Sequence, residues 1–253
     1  MLSRLCFTLF ALFISALLAG CNNTTDTTSP AGHNNVSQNT STNVPQYSAE
    51  QFFATKTYFG NDINHDNSAI LVASDETGVF NLYRVSMDGK NWQPLTQSTT
   101  DPAFPVSWFP NDDRLLYTAD QGGNELNHVY LREVDGTVRD LTPGDKLKAY
   151  FAGWHNDGSF YIATNERDPR FFDLYHYNSK DYSRKRVYQN DDGYSISNVS
   201  KDGRYLALSK ERNNADNNLF LVDLGSATPK PVLITEHQGN ISHQIYGFTP
   251  ASK

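Results

Sequence analysis

The side chains of this 253-residue chain that could carry chemistry are few, and their spacing argues against most of it. A serine nucleophile is the first candidate. Gly193-Tyr194-Ser195-Ile196-Ser197 is the nearest approach to G-x-S-x-G, a motif whose second glycine lets strand and helix close around a strained serine. Ser197 holds that glycine's place, so Ser195 is expected to be structural and no catalytic residue is assigned. The seven histidines, at 33, 65, 128, 155, 176, 237 and 243, form no H-E-x-x-H pattern. His237 and His243 have no acidic residue between them, so no zinc site is expected. Asn190-Asp191-Asp192-Gly193 only echoes a calcium loop and reads as a turn. Gly122-Gly123 reads as a loop rather than a phosphate cradle. No metal and no cofactor are expected.

Charge is the more informative signal. Four segments, residues 74–81, 120–127, 165–173 and 210–218, each hold a glutamate: Glu76, Glu125, Glu166 and Glu211. The third is densest, Asn165-Glu166-Arg167-Asp168-Pro169-Arg170-Phe171-Phe172-Asp173. A solvated, self-paired rim is the plain reading. Planar guanidiniums beside aromatic rings are also the equipment for holding a carboxylate or a partner domain. Glu166, Arg167, Asp168 and Arg170, with Glu125 and Glu76, are therefore the candidate binding residues.

A repeat must position them. Ile70, Leu115, Phe160 and Tyr205 each open a four-residue apolar run, 45 residues apart every time. The runs are too short for helices, and near-continuous apolarity suits strands covered on both faces. Asp66-Asn67, Asp112-Asp113, Asp157-Gly158 and Asp202-Gly203 precede them as tight-turn pairs. Inner strands are expected around Ile63, Trp108, Trp154 and Val199. Third strands follow at Leu82-Tyr83, Val129-Tyr130, Leu174-Tyr175 and Leu219-Phe220, and outer strands end near Thr96, Thr142, Tyr188 and Thr235. Units of about 40–45 residues with four strands are propeller blades; evenly spaced strands in a β-sandwich are the rival. The expected fold is all-β: a partial, open β-propeller of about four four-stranded blades, at about 58–96, 104–142, 150–188 and 195–235. Residues 243–253 would begin a fifth unit, since Gln244-Ile245-Tyr246-Gly247-Phe248 resembles an inner strand. The segments bearing the glutamates would then join second to third strands on one face.

The start of the chain reads differently. Arg4, an apolar stretch over 5–18 and the small residues Leu18-Ala19-Gly20 read as a secretory signal over 1–20. The stretch is shorter than the ~20 residues that span a bilayer comfortably. Leu18-Ala19-Gly20-Cys21 resembles the bacterial lipobox, which makes Cys21 the expected lipidation site. Asn22 after it implies outer-membrane sorting, with the domain facing the periplasm. Cys6 would leave with the signal and Cys21 would carry lipid, so no thiol remains for a disulfide or a metal. Residues 22–46 are Asn/Thr/Ser-rich with little to bury and read as a disordered tether, roughly 25–30 Å in typical reach. Ser48-Ala49-Glu50-Gln51 is a capping-box pattern that opens a short helix. Net charge is −7, moving to −8 without Arg4. An acidic chain without a basic stripe argues against nucleic acid and anionic lipid as partners; membrane attachment would come from the lipid anchor alone.

Ser74-Asp75-Glu76-Thr77-Gly78, Asn81-Leu82-Tyr83, Met87-Asp88-Gly89 and Pro94-Leu95-Thr96 resemble the TolB-type propeller repeat. The longer stretch through Trp108-Phe109-Pro110-Asn111-Asp112-Asp113, residues 120–128 and residues 165–173 resembles the N-terminal propeller of bacterial prolyl oligopeptidase-family serine peptidases. The resemblance runs over roughly 48–250. It implies a propeller that filters or positions peptide and packs against an α/β-hydrolase domain bearing Ser, Asp and His. None of those three residues has a counterpart in this sequence, so the chain is expected to be inactive alone. A TolB-like envelope lipoprotein that binds other proteins is the alternative.

Overall fold

In the computed structural model the described residues are 44–250. Cys21, the signal-like start and the segment up to residue 43 lie outside them. The chain divides between Tyr47 and Ser48, and the strands all belong to the second unit, Ser48–Lys253. That unit opens with α1 (Ala49–Phe53), where Gln51 N donates to Ser48 Oγ at 3.2 Å and Ser48 N donates to Gln51 Oε1 at 2.9 Å. The capping box is formed as its sequence implies.

Sixteen strands follow among the described residues, grouped into four open antiparallel sheets of four, each a simple meander. Sheet 1 holds β1 (Tyr58–Ile63), β2 (Ala69–Ser74), β3 (Asn81–Ser86) and β4 (Trp92–Pro94). Sheet 2 holds β5 (Ala103–Trp108), β6 (Leu115–Ala119), β7 (His128–Arg132) and β8 (Val138–Asp140). Sheet 3 is β9 (Ala149–Trp154), β10 (Phe160–Asp168), β11 (Phe171–Tyr177) and β12 (Arg184–Tyr188). Sheet 4 is β13 (Ser195–Val199), β14 (Tyr205–Asn213), β15 (Asp216–Asp223) and β16 (Val232–Leu233). The all-β, four-by-four architecture is the one the 45-residue repeat demands.

Alternation along the second strands explains their unbroken apolarity. Leu115 and Tyr117 pack with Leu71, Ala73 and Leu82 of sheet 1, whereas Leu116 packs with Phe160, Ile162 and Tyr177 of sheet 3. Tyr161 and Ala163 turn the other way, onto Ile196, Leu206, Leu208 and Val222 of sheet 4. Successive side chains point to opposite faces, and here both faces meet another sheet. The result is three separate cores, each between consecutive sheets.

Every inner strand skips one residue in its pairing: between Gly60 and Asp62, Pro105 and Ser107, Phe151 and Gly153, and Ile196 and Asn198. Such bulges bend and twist a strand, and they let inner strands of different sheets touch. Asp62 Oδ2 accepts from Ser107 Oγ at 2.7 Å and from Trp108 N at 2.9 Å, and Trp154 Nε1 donates to Ser107 Oγ at 3.0 Å. One short relay thus links sheets 1, 2 and 3.

Three expectations need correction. Ile63, Trp108, Trp154 and Val199 close their inner strands rather than centre them. Residues 165–168 and 210–213 are not loop: β10 and β14 run on through them, because paired backbones outlast the apolar run on a solvent-facing ribbon. The start of a fifth unit is not a strand. Residues 243–250 make no ladder; His243 instead exchanges hydrogen bonds with Asn217 and lies 4.9 Å, ring to ring, from His237. A strand needs a paired neighbour, and among the described residues 243–250 pair with none.

Candidate functional site

The charged segment of sheet 3 is a β-hairpin, with Asp168 paired to Phe171 across the tip. Pro169 and Arg170 form the turn, where proline's fixed φ suits a tight reversal. Glu166, Arg167, Asp168 and Arg170 therefore sit on one rigid ribbon, but each already has a partner.

Arg167 donates from Nε to Asp173 Oδ2 at 2.6 Å and from Nη2 to Asp173 Oδ1 at 2.8 Å. Nη2 also reaches the Asn190 carbonyl at 2.8 Å and Asp191 Oδ1 at 3.1 Å. Asp173 has 0% exposure and further accepts from Asn190 N at 2.9 Å. Burial works to raise its pKa. The Arg167 guanidinium, the Asn190 N–H and Arg186 outweigh burial and hold the carboxyl below its usual range. Asn81 takes the same place in sheet 1, accepting from Ser98 N at 2.7 Å without any charge. Arg167 is thus the counter-ion of a buried aspartate and has little left to offer a ligand.

The rest of the hairpin is more available. Arg170 donates to both oxygens of Asp168, at 3.0 and 2.7 Å, and its guanidinium lies 4.8 Å from the Phe171 ring centre. The Arg170 side chain is 74% exposed, so a carboxylate arriving from solvent can reach its guanidinium. Hydrogen bonds from Arg170 hold the Asp168 carboxyl well below the ordinary range. Glu166 accepts from Arg184 Nη1 at 2.8 Å, and Arg184 lies over Tyr175 and donates to the Tyr177 hydroxyl at 3.1 Å. The sequence reading missed Arg184 and the two tyrosines. The basic run Arg184-Lys185-Arg186 on an outer strand was the available signal.

The two remaining candidates do not join this group. Glu76 is exposed and its carbonyl accepts from Lys56 Nζ at 2.8 Å. Glu125 adopts φ +59°, with its N–H given to Asp120 Oδ2 at 2.7 Å. Among the described residues neither carboxylate pairs with the sheet 3 hairpin.

One Ser–His–Asp set does exist in space. Ser159 Oγ lies 2.5 Å from Asp157 Oδ1 and 2.6 Å from His176 Nε2. Its order is wrong for a nucleophile, since a triad places histidine between serine and aspartate. Hydrogen bonds from Ser159 keep Asp157 ionised, so the serine proton points to it and His176 must donate to Ser159. Ser159 is buried, with its proton committed to Asp157. Ser195 is the exposed first residue of β13, paired with Ser209. Among the described residues neither serine stands in the serine–histidine–aspartate order of a triad.

Comparison with known proteins gives the family. Residues 104–247 match the model described as prolyl oligopeptidase, N-terminal beta-propeller domain. Dipeptidyl aminopeptidase BIII of Pseudoxanthomonas mexicana is 27% identical over 176 residues, which are 66% of this chain and 25% of that protein. Among solved structures, TolB from Acinetobacter baumannii superposes with a TM-score of 0.51 at 18% identity, covering 72% of this chain and 45% of that one. This second likeness is one of fold. The chain spans about a quarter of the length of the curated relative it matches. With more than half of its length inside the family model, and four meander sheets arranged as the repeat requires, the chain belongs to the family of prolyl oligopeptidase N-terminal β-propeller domains.

Proposed function

We propose that this chain is a noncatalytic propeller segment of a prolyl oligopeptidase-family serine peptidase, positioning or gating peptide and packing against a hydrolase domain. The observation that carries the reading is the family match across sheets 2 to 4. The name of the dipeptidyl aminopeptidase relative supports peptide as the substrate class. The exposed Arg170 at the hairpin tip, backed by Phe171, is the group we assign to contact with a peptide carboxylate or the hydrolase surface. Lipid attachment at Cys21 and an outer-membrane, periplasm-facing location are part of the proposal; they rest on Leu18-Ala19-Gly20-Cys21 and on Asn22 after it.

A TolB-like protein-binding lipoprotein is the second reading, favoured by the TolB superposition. The adjoining DNA separates the two. A hydrolase reading frame with G-x-S-x-G, whose product co-elutes with this chain, supports the peptidase reading. Its absence, with a monomeric chain that unfolds cooperatively, supports the binding module. Metabolic labelling with radioactive palmitate tests the anchor: label is expected on the chain and lost in Cys21→Ser.

A further inference from the structure

After β16 the chain returns across the hairpin that joins β14 to β15. That hairpin is the sheet 4 counterpart of the one bearing Arg170, since both join second to third strands. Asn217 N donates to the Ile241 carbonyl at 3.2 Å, and Asn217 Nδ2 donates to the His243 carbonyl at 2.9 Å. His243 N donates back to Asn217 Oδ1 at 2.6 Å, and its Nδ1 faces the Asn217 carbonyl at 3.1 Å. Nearer the tip, Asn213 Nδ2 donates to Asn240 Oδ1 at 3.4 Å. Residues 237–243 thus strap the hairpin through polar contacts. Packing adds little: Ile241 is 44% exposed, and a Cβ at Gly239 would meet nothing within 4 Å.

Among the described residues one ion pair joins the strap to the hairpin, and it is the buried part of the contact. The side chains of His237 and Asp216 are 8% and 2% exposed. His237 Nε2 faces Asp216 Oδ1 at 2.8 Å, and its Nδ1 faces the Thr235 carbonyl at 2.8 Å. A neutral imidazole has a single N–H. Whichever nitrogen gave up its proton would aim a lone pair at an acceptor, so the geometry fits the imidazolium and neither neutral tautomer.

The surrounding charges are few. Burial works to raise the Asp216 pKa, but His237, Arg212 and the Ile241 N–H outweigh it and keep the carboxylate ionised. Arg212 stands 3.3 Å from Asp216 Oδ2 and opposes a charge on His237. The His243 ring lies 4.9 Å from that of His237.

We propose that residues 237–243 are a pH-released strap, locked on the β14–β15 hairpin while His237 carries both ring protons and freed when one leaves to water. The lock is complete in mild acid and is lost as pH rises. It stands whether or not the chain serves a peptidase.

NMR of the full chain from pH 6 to 9 follows the imidazoles of His237 and His243 and the amides of Asn217, Ile241 and His243. The His237 midpoint is expected above about 6.5, the ordinary histidine value, and the amides should shift at that same midpoint. Hydrogen-exchange protection of the Asn217 amide is expected to fall about tenfold across it, the worth of one hydrogen bond to a charged group. Arg212→Gln is an exposed change that removes the opposing charge, and should raise the imidazole and amide midpoints together. Asp216→Asn should lower both, and Arg212→Gln decides the matter if Asp216→Asn fails to fold. A His237 midpoint at or below the ordinary value overturns the proposal. So do amides that follow His243 instead, or amide midpoints unmoved in Arg212→Gln.

Discussion

Arg167 closes on Asp173 through two parallel bonds of 2.6 and 2.8 Å, and Asp173 shows no surface to solvent. Removing one partner of a buried pair leaves an uncompensated charge, which costs about 3–5 kcal/mol. Arg186, 3.4 Å from the same carboxylate, offsets part of that. Arg167→Ala is expected near 3 kcal/mol by urea unfolding. Asp173→Asn, which copies Asn81 of sheet 1, is expected to recover most of the loss in the double variant. An Arg167→Ala chain as stable as the parent contradicts the counter-ion role.

Gly203 and Gly89 share a backbone conformation and differ in what surrounds them. Both have left-handed backbone, φ +71° and +73°, but a Cβ at Gly89 meets nothing within 4 Å whereas one at Gly203 collides with Tyr161. Gly89→Ala is expected to cost about 1–2 kcal/mol from conformation alone. Gly203→Ala should cost on the order of 1–3 kcal/mol more, the usual penalty of overpacking. Thermal denaturation of the two variants isolates the clash by subtraction.

Arg114 fastens sheet 2 to sheet 3. It donates to the Ser179 carbonyl at 2.6 Å and to the Tyr182 hydroxyl at 2.7 Å, over the Phe109 ring at 4.1 Å. Arg114→Met keeps the apolar stem and loses the bonds, for an expected cost of about 2–3 kcal/mol. A double-mutant cycle with Tyr182→Phe should give a coupling of about 1 kcal/mol. Additive single effects contradict a direct link.

His237 should make stability fall with rising pH. Its Nδ1 faces the Thr235 carbonyl at 2.8 Å and its Nε2 faces Asp216 Oδ1 at 2.8 Å. Both partners accept, so both nitrogens donate only in the imidazolium form. The Thr235 carbonyl first, and Asp216 second, raise the histidine pKa, with Arg212 opposing. A raised folded pKa means this contribution is complete below about pH 6.5, the ordinary histidine value. It is lost as pH rises through the folded value. Urea midpoints from pH 6 to 9 should decline in the parent and flatten in His237→Gln.

Much of this was legible in the sequence, for physical reasons. Phe160-Tyr161-Ile162-Ala163 and its three equivalents stand out because each is covered on both faces, which forces apolar residues at every position. Inner strands were placed late because Trp108 and Trp154 sit at the hairpin end, opposite Leu115 and Phe160, while the residues before them are mixed. Glu166-Arg167-Asp168 read as loop because ladder bonds come from the backbone and leave no mark on exposed side chains. Arg167 looked like a recognition residue because its partner Asp173, six positions away, reveals its burial only in three dimensions.

The central proposal is that this propeller domain acts together with a hydrolase domain of the prolyl oligopeptidase type. The direct measurement is kcat/KM for a chromogenic dipeptide amide, with the hydrolase segment from the adjoining reading frame alone, the chain alone, and both together. The account predicts no turnover by the chain, and turnover by the pair that exceeds the isolated hydrolase and falls with Arg170→Ala. Turnover by the chain alone that survives Ser195→Ala, or a hydrolase indifferent to its presence, contradicts it.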